Sequence, residues 1–369
     1  MRIRIEKQNL EQAISVAQKA VAGKSSIPAL EGLLLTARNE ELILSGYDLE
    51  LGIECTVPCA VEEEGAVVLS ARTFSDIVRK LPDGEVEIVS DSKLLTIIRC
   101  GMSEFTLIGI AAEEFPELPK VAGELSFSLP QNLLKSIIRQ TVYAVSQNEN
   151  KPVHMGCLFE SKDGVLKVVG VDGYRLAMRT EYLEGTLPEM QFVVPGKTLT
   201  EIARILSDTD LPVEISVTKK QILFRIENVL LVSRLLEGEF LNYNNAIPKD
   251  GSVFLTVDVR SFIESVERTG LMISERLKSP LRIRFDSGKV KLSCATAIGT
   301  ARDEFQAEME GDPLEIGFNN KFVLDALKNC DEEKVKLRLA SPLLPMVITP
   351  VEGDKFLFLV LPVRLKNEN

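Results

Sequence analysis

The chain repeats itself three times, and any fold assigned to it has to accommodate that repetition. The segments RIRIEKQNLEQAISVAQKA (2–20), LSFSLPQNLLKSIIRQTVYA (125–144) and VFLTVDVRSFIESVERTG (253–270) each pass from an alternating strand, through a polar break, into an amphipathic helix. Their starts lie about 125 residues apart. Midway through each interval a second unit of the same kind appears, in AVVLSARTFSDIVRKL (66–81), QFVVPGKTLTEIARIL (191–206) and LEIGFNNKFVLDALKN (314–329), with Ser, Gly or Asn where the helix cap belongs. Strands rich in Leu, Ile and Val fill the intervals, as in EGLLLTARNEELILSGYDLELGIECTV (31–57). The pattern predicts an α+β protein of three domains with one topology, each an antiparallel sheet backed by two helices. Linkers are expected at PKVAGE (119–124) and PKDGS (248–252), which sets the domains at 1–122, 123–249 and 250–369.

Composition removes several kinds of chemistry. A zinc site needs four close ligands, but His154 is the only histidine and no second Cys pair answers Cys55 and Cys59. A Ser or Cys nucleophile would have to use that one His, so no catalytic residue, metal or cofactor is expected. The run GKSS (23–26) is not a phosphate loop, because Gln18 stands where that motif requires Gly. The six Cys form no disulfide framework, and no long apolar run or leader-like start is present; a cytoplasmic protein is the expectation.

The net charge of −11 hides an asymmetry. Six helix windows (6–24, 70–81, 130–146, 195–206, 258–279 and 318–330) hold 16 Lys or Arg against 9 Asp or Glu, so the helices carry +7 and everything else −18. A solvated helix face of mixed sign is the bland explanation. The alternative is a shared positive surface inside an acidic molecule, suited to loose, sequence-independent contact with nucleic-acid phosphates. A carboxylate-based hydrolase lacks paired acids beside a nucleophile, and a DNA-independent three-repeat scaffold leaves the basic helices without a purpose.

Particular motifs then narrow the reading. VDGYRLA (171–177) is similar to the Thr-Asp-Gly-His-Arg-Leu-Ala stretch, and VLPVRL (360–365) to the Val-Met-Pro-Met-Arg-Leu tail, of bacterial DNA polymerase III beta subunits, the replicative sliding clamps. AAEEFPELP (111–119) and LLEGEFLNYNNAIP (235–248) add to a resemblance that covers the whole chain.

The resemblance implies a head-to-tail homodimer closed into a ring around duplex DNA, with helices lining the hole and sheets outside. It also implies a pocket that takes short linear peptides from the polymerase, the clamp loader and repair proteins. By position, one wall is His154, Val171, Gly173, Tyr174, Arg175 and Leu176; the other is Leu241, Ala246, Asn319, Phe322, Leu343, Pro345 and the tail Leu359, Val360, Leu361, Pro362, Val363, Arg364 and Leu365. Tyr174 stands where the family commonly has His, Leu241 where it has Pro, and His154 where an apolar residue is usual. In such a groove, Arg175 and Asn319 are expected to orient the peptide. DNA-facing candidates are Lys24, Arg72, Arg79, Lys80, Lys135, Arg139, Asn148, Lys151, Lys197, Arg204, Lys321 and Lys328. The subunit seam is expected to join Phe105 and Leu107 to Met272 and Ile273, rimmed by Arg72, Lys80 and Arg99 against Asp303, Glu304 and Glu308.

Overall fold

The computed structural model describes residues 1–121, 123, 125–183, 187–274 and 279–365. Six α-helices are present among them: α1 (Lys7–Ala17), α2 (Ala71–Lys80), α3 (Gln131–Val142), α4 (Gly196–Ile205), α5 (Val259–Gly270) and α6 (Asn320–Lys328). All six expected units are therefore realised, two per repeat. In α2 the buried Ala71, Phe74, Ser75 and Val78 recur at helical spacing, while Arg72, Asp76, Arg79 and Lys80 stay outside. A fully buried Phe such as Phe74 or Phe262 contributes roughly 1.5–3 kcal/mol of transfer free energy.

Helix ends show how local chemistry sets the boundaries. Asp258 caps α5 by accepting from the Ser261 amide at 2.7 Å, and the hydrogen bonds from Ser261 hold its carboxyl below the usual carboxylate range. Asn319 caps α6 the same way, through the Lys321 amide at 3.0 Å. Ser70, expected to cap α2, leaves the backbone alone, and its hydroxyl pairs with Thr73 at 3.2 Å. Gly196 is the first residue of α4 and not its cap. Helix α5 stops at Gly270, well short of the expected window, and Arg276 and Lys278 of that window lie outside the described residues.

By packing, the chain divides into two units, Met1–Lys135 with Thr200–Leu235, and Ser136–Leu199 with Leu236–Asn369. The first holds a five-stranded and an eight-stranded sheet, the second a nine-stranded and a four-stranded sheet, and every pairing between the described strands is antiparallel. The middle repeat does not keep its strands in one sheet. Its strand Val229–Arg234 pairs with Leu51–Pro58 of the first repeat, from Val229 opposite Cys55 to Ser233 opposite Leu51. Its strand Arg175–Tyr182 pairs with Phe356–Val360 of the third, with Arg175 opposite Val360. An edge strand leaves a row of unmatched amides and carbonyls, and each repeat satisfies that row on its neighbour.

Helices approach the sheets closely where glycine permits it. A Cβ on Gly46 would lie 2.2 Å from the Ala17 carbonyl oxygen, and one on Gly170 would lie 2.3 Å from that of Thr141. These are equivalent places in two repeats, where the end of α1 and the end of α3 rest on a strand.

Candidate peptide-docking groove, DNA face and subunit seam

The second unit carries a tight loop at Val171–Arg175. The Asp172 carboxylate accepts from the amides of Tyr174 at 2.8 Å and Arg175 at 3.0 Å, and Gly173 takes the left-handed conformation (φ +89°) that the turn demands. Tyr174 is thereby pushed outward, 64% exposed, with its ring 6.1 Å from that of Phe322 on α6.

Arg175 turns inward instead. Its guanidinium donates to Asp172 at 2.9 Å and to Asp325, and lies 4.7 Å from the Phe322 ring centroid and 5.5 Å from that of Tyr143. Two of its five donors are thus engaged within the unit, and its side chain is only 11% exposed. Asn319 is exposed, but its side-chain oxygen is taken by the α6 cap.

Behind the loop, Leu158, Val169, Val171, Leu176, Val193 and Leu359 form an apolar sheet face, covered by Leu236, Phe240, Tyr243 and Ile247 from the connecting segment. The Tyr243 hydroxyl donates to Glu160 at 2.5 Å. His154 sets its ring edge-on to Phe240 at 5.4 Å, and burial, assisted by Lys151, pushes its pKa below the ordinary histidine value. Val171, Leu176 and Leu359 are thus a closed floor and not an exposed wall.

Strand alternation separates the tail residues. Leu357, Leu359 and Leu361 belong to this face, whereas Phe356, Phe358 and Val360 belong to the core of the third repeat. Val360, fully buried, is therefore withdrawn from the groove. The Leu361 amide donates to the Tyr174 carbonyl at 2.9 Å and the Val363 amide to that of Gly317 at 2.7 Å. A Cβ on Gly317 would lie 2.6 Å from Leu365, which places Leu365 on that neighbour, while Pro362 is half-buried and Val363 and Arg364 are exposed.

Met346 pairs with Val360, so the turn before it comes to the Leu361 end of the sheet. There Leu343 is 67% exposed and Pro345 buried; Leu344, absent from the expected set, is 44% exposed. Leu241 and Ala246 are exposed on the connecting segment. What remains accessible is a rim of Tyr174, Leu241, Leu343, Leu344, Leu361 and Val363 above a packed floor. Tyr143 and Asp325, which anchor Arg175, were missed. They lie far from Arg175 in sequence, and no local spacing signals the pairing.

The DNA-facing candidates are exposed, except Lys135, which is half-buried. As defined by their structural boundaries the six helices carry 12 basic and 6 acidic residues. Several cations have carboxylate partners: Lys135 with Asp208 at 2.9 Å, Arg139 with Asp331, Arg204 with Glu201 at 2.6 Å, and Lys328 with Glu267 at 2.6 Å. Arg72 and Arg79 line a cavity of about 680 Å³ together with Ile108, so they group with the seam strand. Lys24, Asn148 and Lys151 sit in exposed loops, Lys80 at the end of α2, and Lys197 and Lys321 at the starts of α4 and α6.

The seam candidates fall on two elements. Phe105 and Leu107 lie on the edge strand Ser103–Ile108 of the five-stranded sheet, where Phe105 and Ile108 are exposed. Met272 and Ile273 follow α5, and Ile273 packs on the core of the third repeat. The charged rim is already paired within the chain: Arg99 with Glu104 at 2.7 Å and with Glu87 at 3.3 Å, Asp303 with Arg268 at 2.7 Å, and Glu304 with Lys289 at 3.0 Å. Asp303 and Glu304 are thus not free acids awaiting a partner subunit. Among the described residues no group of three or more His, Cys, Asp or Glu could hold a metal ion, and no helix is long and apolar enough to cross a membrane.

Comparison with known proteins bears on the fold and the family. Models of the N-terminal, central and C-terminal domains of the DNA polymerase III beta subunit match residues 1–119, 128–242 and 244–364. A beta sliding clamp from Halalkalibacterium halodurans is 37% identical over 374 residues, covering 98% of each chain. The crystal structure of the DNA polymerase sliding clamp from Bacillus subtilis superposes with a TM-score of 0.95 at 33% identity, over 99% of this chain and 100% of that one. A putative DNA polymerase III beta subunit from Eubacterium rectale gives a TM-score of 0.93 at 35% identity, over 98% of this chain and 99% of that one. With all three of its repeats matched, the chain belongs to the DNA polymerase III beta subunit family, the sliding clamps.

Proposed function

We propose that two copies of this chain, with domains at 1–122, 123–249 and 250–369, close head to tail into a ring around duplex DNA in the cytoplasm. The ring holds the replicative polymerase on its template without performing chemistry itself. The observation that carries this reading is the charge inversion: helices at six repeated places total +6 in a chain of −11. A ring retains DNA by topology, so its phosphate contacts need only be weak.

The seam joins the exposed apolar edge of Ser103–Ile108 to the Leu271–Ile273 segment of the other copy. Polymerase, clamp loader and repair proteins dock through short linear motifs on the rim of Tyr174, Leu241, Leu343, Leu361 and Val363, anchoring apolar side chains there.

The test is loading onto nicked circular DNA with a clamp loader and ATP, followed by gel filtration with light scattering. A species of twice the chain mass that travels with the circle and is lost on linearisation is the expected result. A monomer that is never retained would remove the ring.

A further inference from the structure

Many of the cations on the basic helices are already paired. At least five of the nine helix residues expected to face DNA are held by carboxylates of the same chain: Arg79 by Asp76 at 3.7 Å, Lys135 by Asp208 at 2.9 Å, Arg139 by Asp331, Arg204 by Glu201 at 2.6 Å and Lys328 by Glu267 at 2.6 Å. Asp331 is itself held by the Gln140 side-chain amide at 3.0 Å, which fixes its position against Arg139. Two further cations on α5, Arg260 and Arg268, share Glu264 at 2.9 and 3.7 Å. Several of these carboxylates are remote in sequence from their cations: Asp208 follows α4 while Lys135 is on α3, and Glu267 is on α5 while Lys328 is on α6.

The geometry points to a tuning role for Asp208, Glu267 and Asp331: they stand in for phosphate at Lys135, Lys328 and Arg139, so that a DNA contact at any of these three cations must displace an internal anion. This deepens the ring reading and rests on it. An uncovered cation on DNA releases a condensed counterion and adds about 0.9 to the slope of log K against log salt. A cation that exchanges a carboxylate for a phosphate gains far less, because one ion pair replaces another. The consequence is a surface with enough positive charge to centre the duplex and too little net attraction to stop it sliding.

The experiment uses the full-length protein and a short fluorescent duplex, with binding followed by anisotropy across a salt series. Asp208 and Glu267 are both exposed, so Asp208→Asn with Glu267→Gln removes two internal anions at little risk to the fold, which a melting curve checks. The expected result is tighter binding at low salt and a log–log slope steeper than for the unaltered protein by up to about 3.6, about 0.9 for each of the four cations uncovered in a ring of two copies. A control, Glu214→Gln, removes an exposed acid paired with Arg225 on the strand Pro212–Val217, away from any helix. It should leave the slope unchanged. An unaltered slope in the double variant overturns the inference while leaving the ring intact, as does an equal change in the control, which would make the effect one of net charge. If the unaltered protein shows no salt-dependent duplex binding and is not retained on loaded circles, the ring reading fails and takes this inference with it.

Discussion

Two homologous sheet faces, one in each unit, have met opposite fates. In the first unit the turn GYDLEL (46–51) has Asp48 accepting from the amides of Glu50 at 3.0 Å and Leu51 at 2.7 Å; in the second, Asp172 does the same for Tyr174 and Arg175. The neighbouring strand arrives in the same register, with the Arg234 amide donating to the Glu50 carbonyl and the Leu361 amide to that of Tyr174, both at 2.9 Å. The connecting segments correspond too: Phe115 and Leu118 cover the first face as Phe240 and Tyr243 cover the second. Side chains alone separate them. At the first face Tyr47 occupies the place of Val171, Arg234 that of Leu361 and Glu50 that of Tyr174, while Gly52 leaves room for Leu118, whose Cδ2 would lie 2.8 Å from a Cβ there. The first face thus carries Glu50 and Arg234 at its rim where the second carries Tyr174 and Leu361. On the proposed reading, one of two like faces becomes the docking surface through side chains at a few positions.

The largest effect should come from making the second face resemble the first. Leu361→Arg is expected to weaken a bound motif peptide by roughly 30-fold or more, the loss typical of a central apolar anchor, with the melting temperature nearly unchanged. Isothermal titration with a peptide from the cognate polymerase measures it, and full binding by a folded variant would remove Leu361 from the site.

Arg175→Ala tests the anchor beneath the rim. With its side chain only 11% exposed, its loss leaves Asp325 and one oxygen of Asp172 without their partner and should cost about 2–4 kcal/mol in denaturant unfolding. No loss of stability would mean that the inward placement of Arg175 is idle. Tyr174→Ala reverses that signature, with little effect on stability but peptide affinity lower by about 5- to 10-fold, as fits an exposed ring at the edge of the site. Equal affinity would make Tyr174 a bystander.

The smallest effect is in pH. Because burial lowers the His154 pKa below its unfolded value, the neutral ring is the stable form in the folded chain. Its contribution is complete above the ordinary histidine pKa and is lost as pH falls through the depressed folded value. The free energy of unfolding should therefore be flat from pH 8 to about 7 and fall as the pH drops below about 6.5, a fall that His154→Leu abolishes. A decline that survives the substitution belongs to another group.

Sequence made most of the scaffold legible, because helix caps, alternating strands and a threefold pattern are local signals. The fate of the tail was also within reach: period-2 alternation through PheLeuPheLeuVal at 356–360 already divides Leu359 and Leu361 from Val360. Two things were not legible. Strand edges do not name their partners, so the pairing of the middle repeat with both neighbours is absent from any pattern. Charge signs do not reveal ion pairs, so nothing in the sequence joins Arg175 to Asp325, Asp303 to Arg268 or Arg139 to Asp331.

The most direct measurement is hydrogen exchange of the intact protein with and without a motif peptide from the cognate polymerase. Added protection is expected at 171–176, 241–246 and 359–363, and none at the homologous 47–52, 115–118 and 232–236. Protection at the first face, or at both equally, would contradict the claim that side chains at these few positions decide which of two like surfaces accepts a partner.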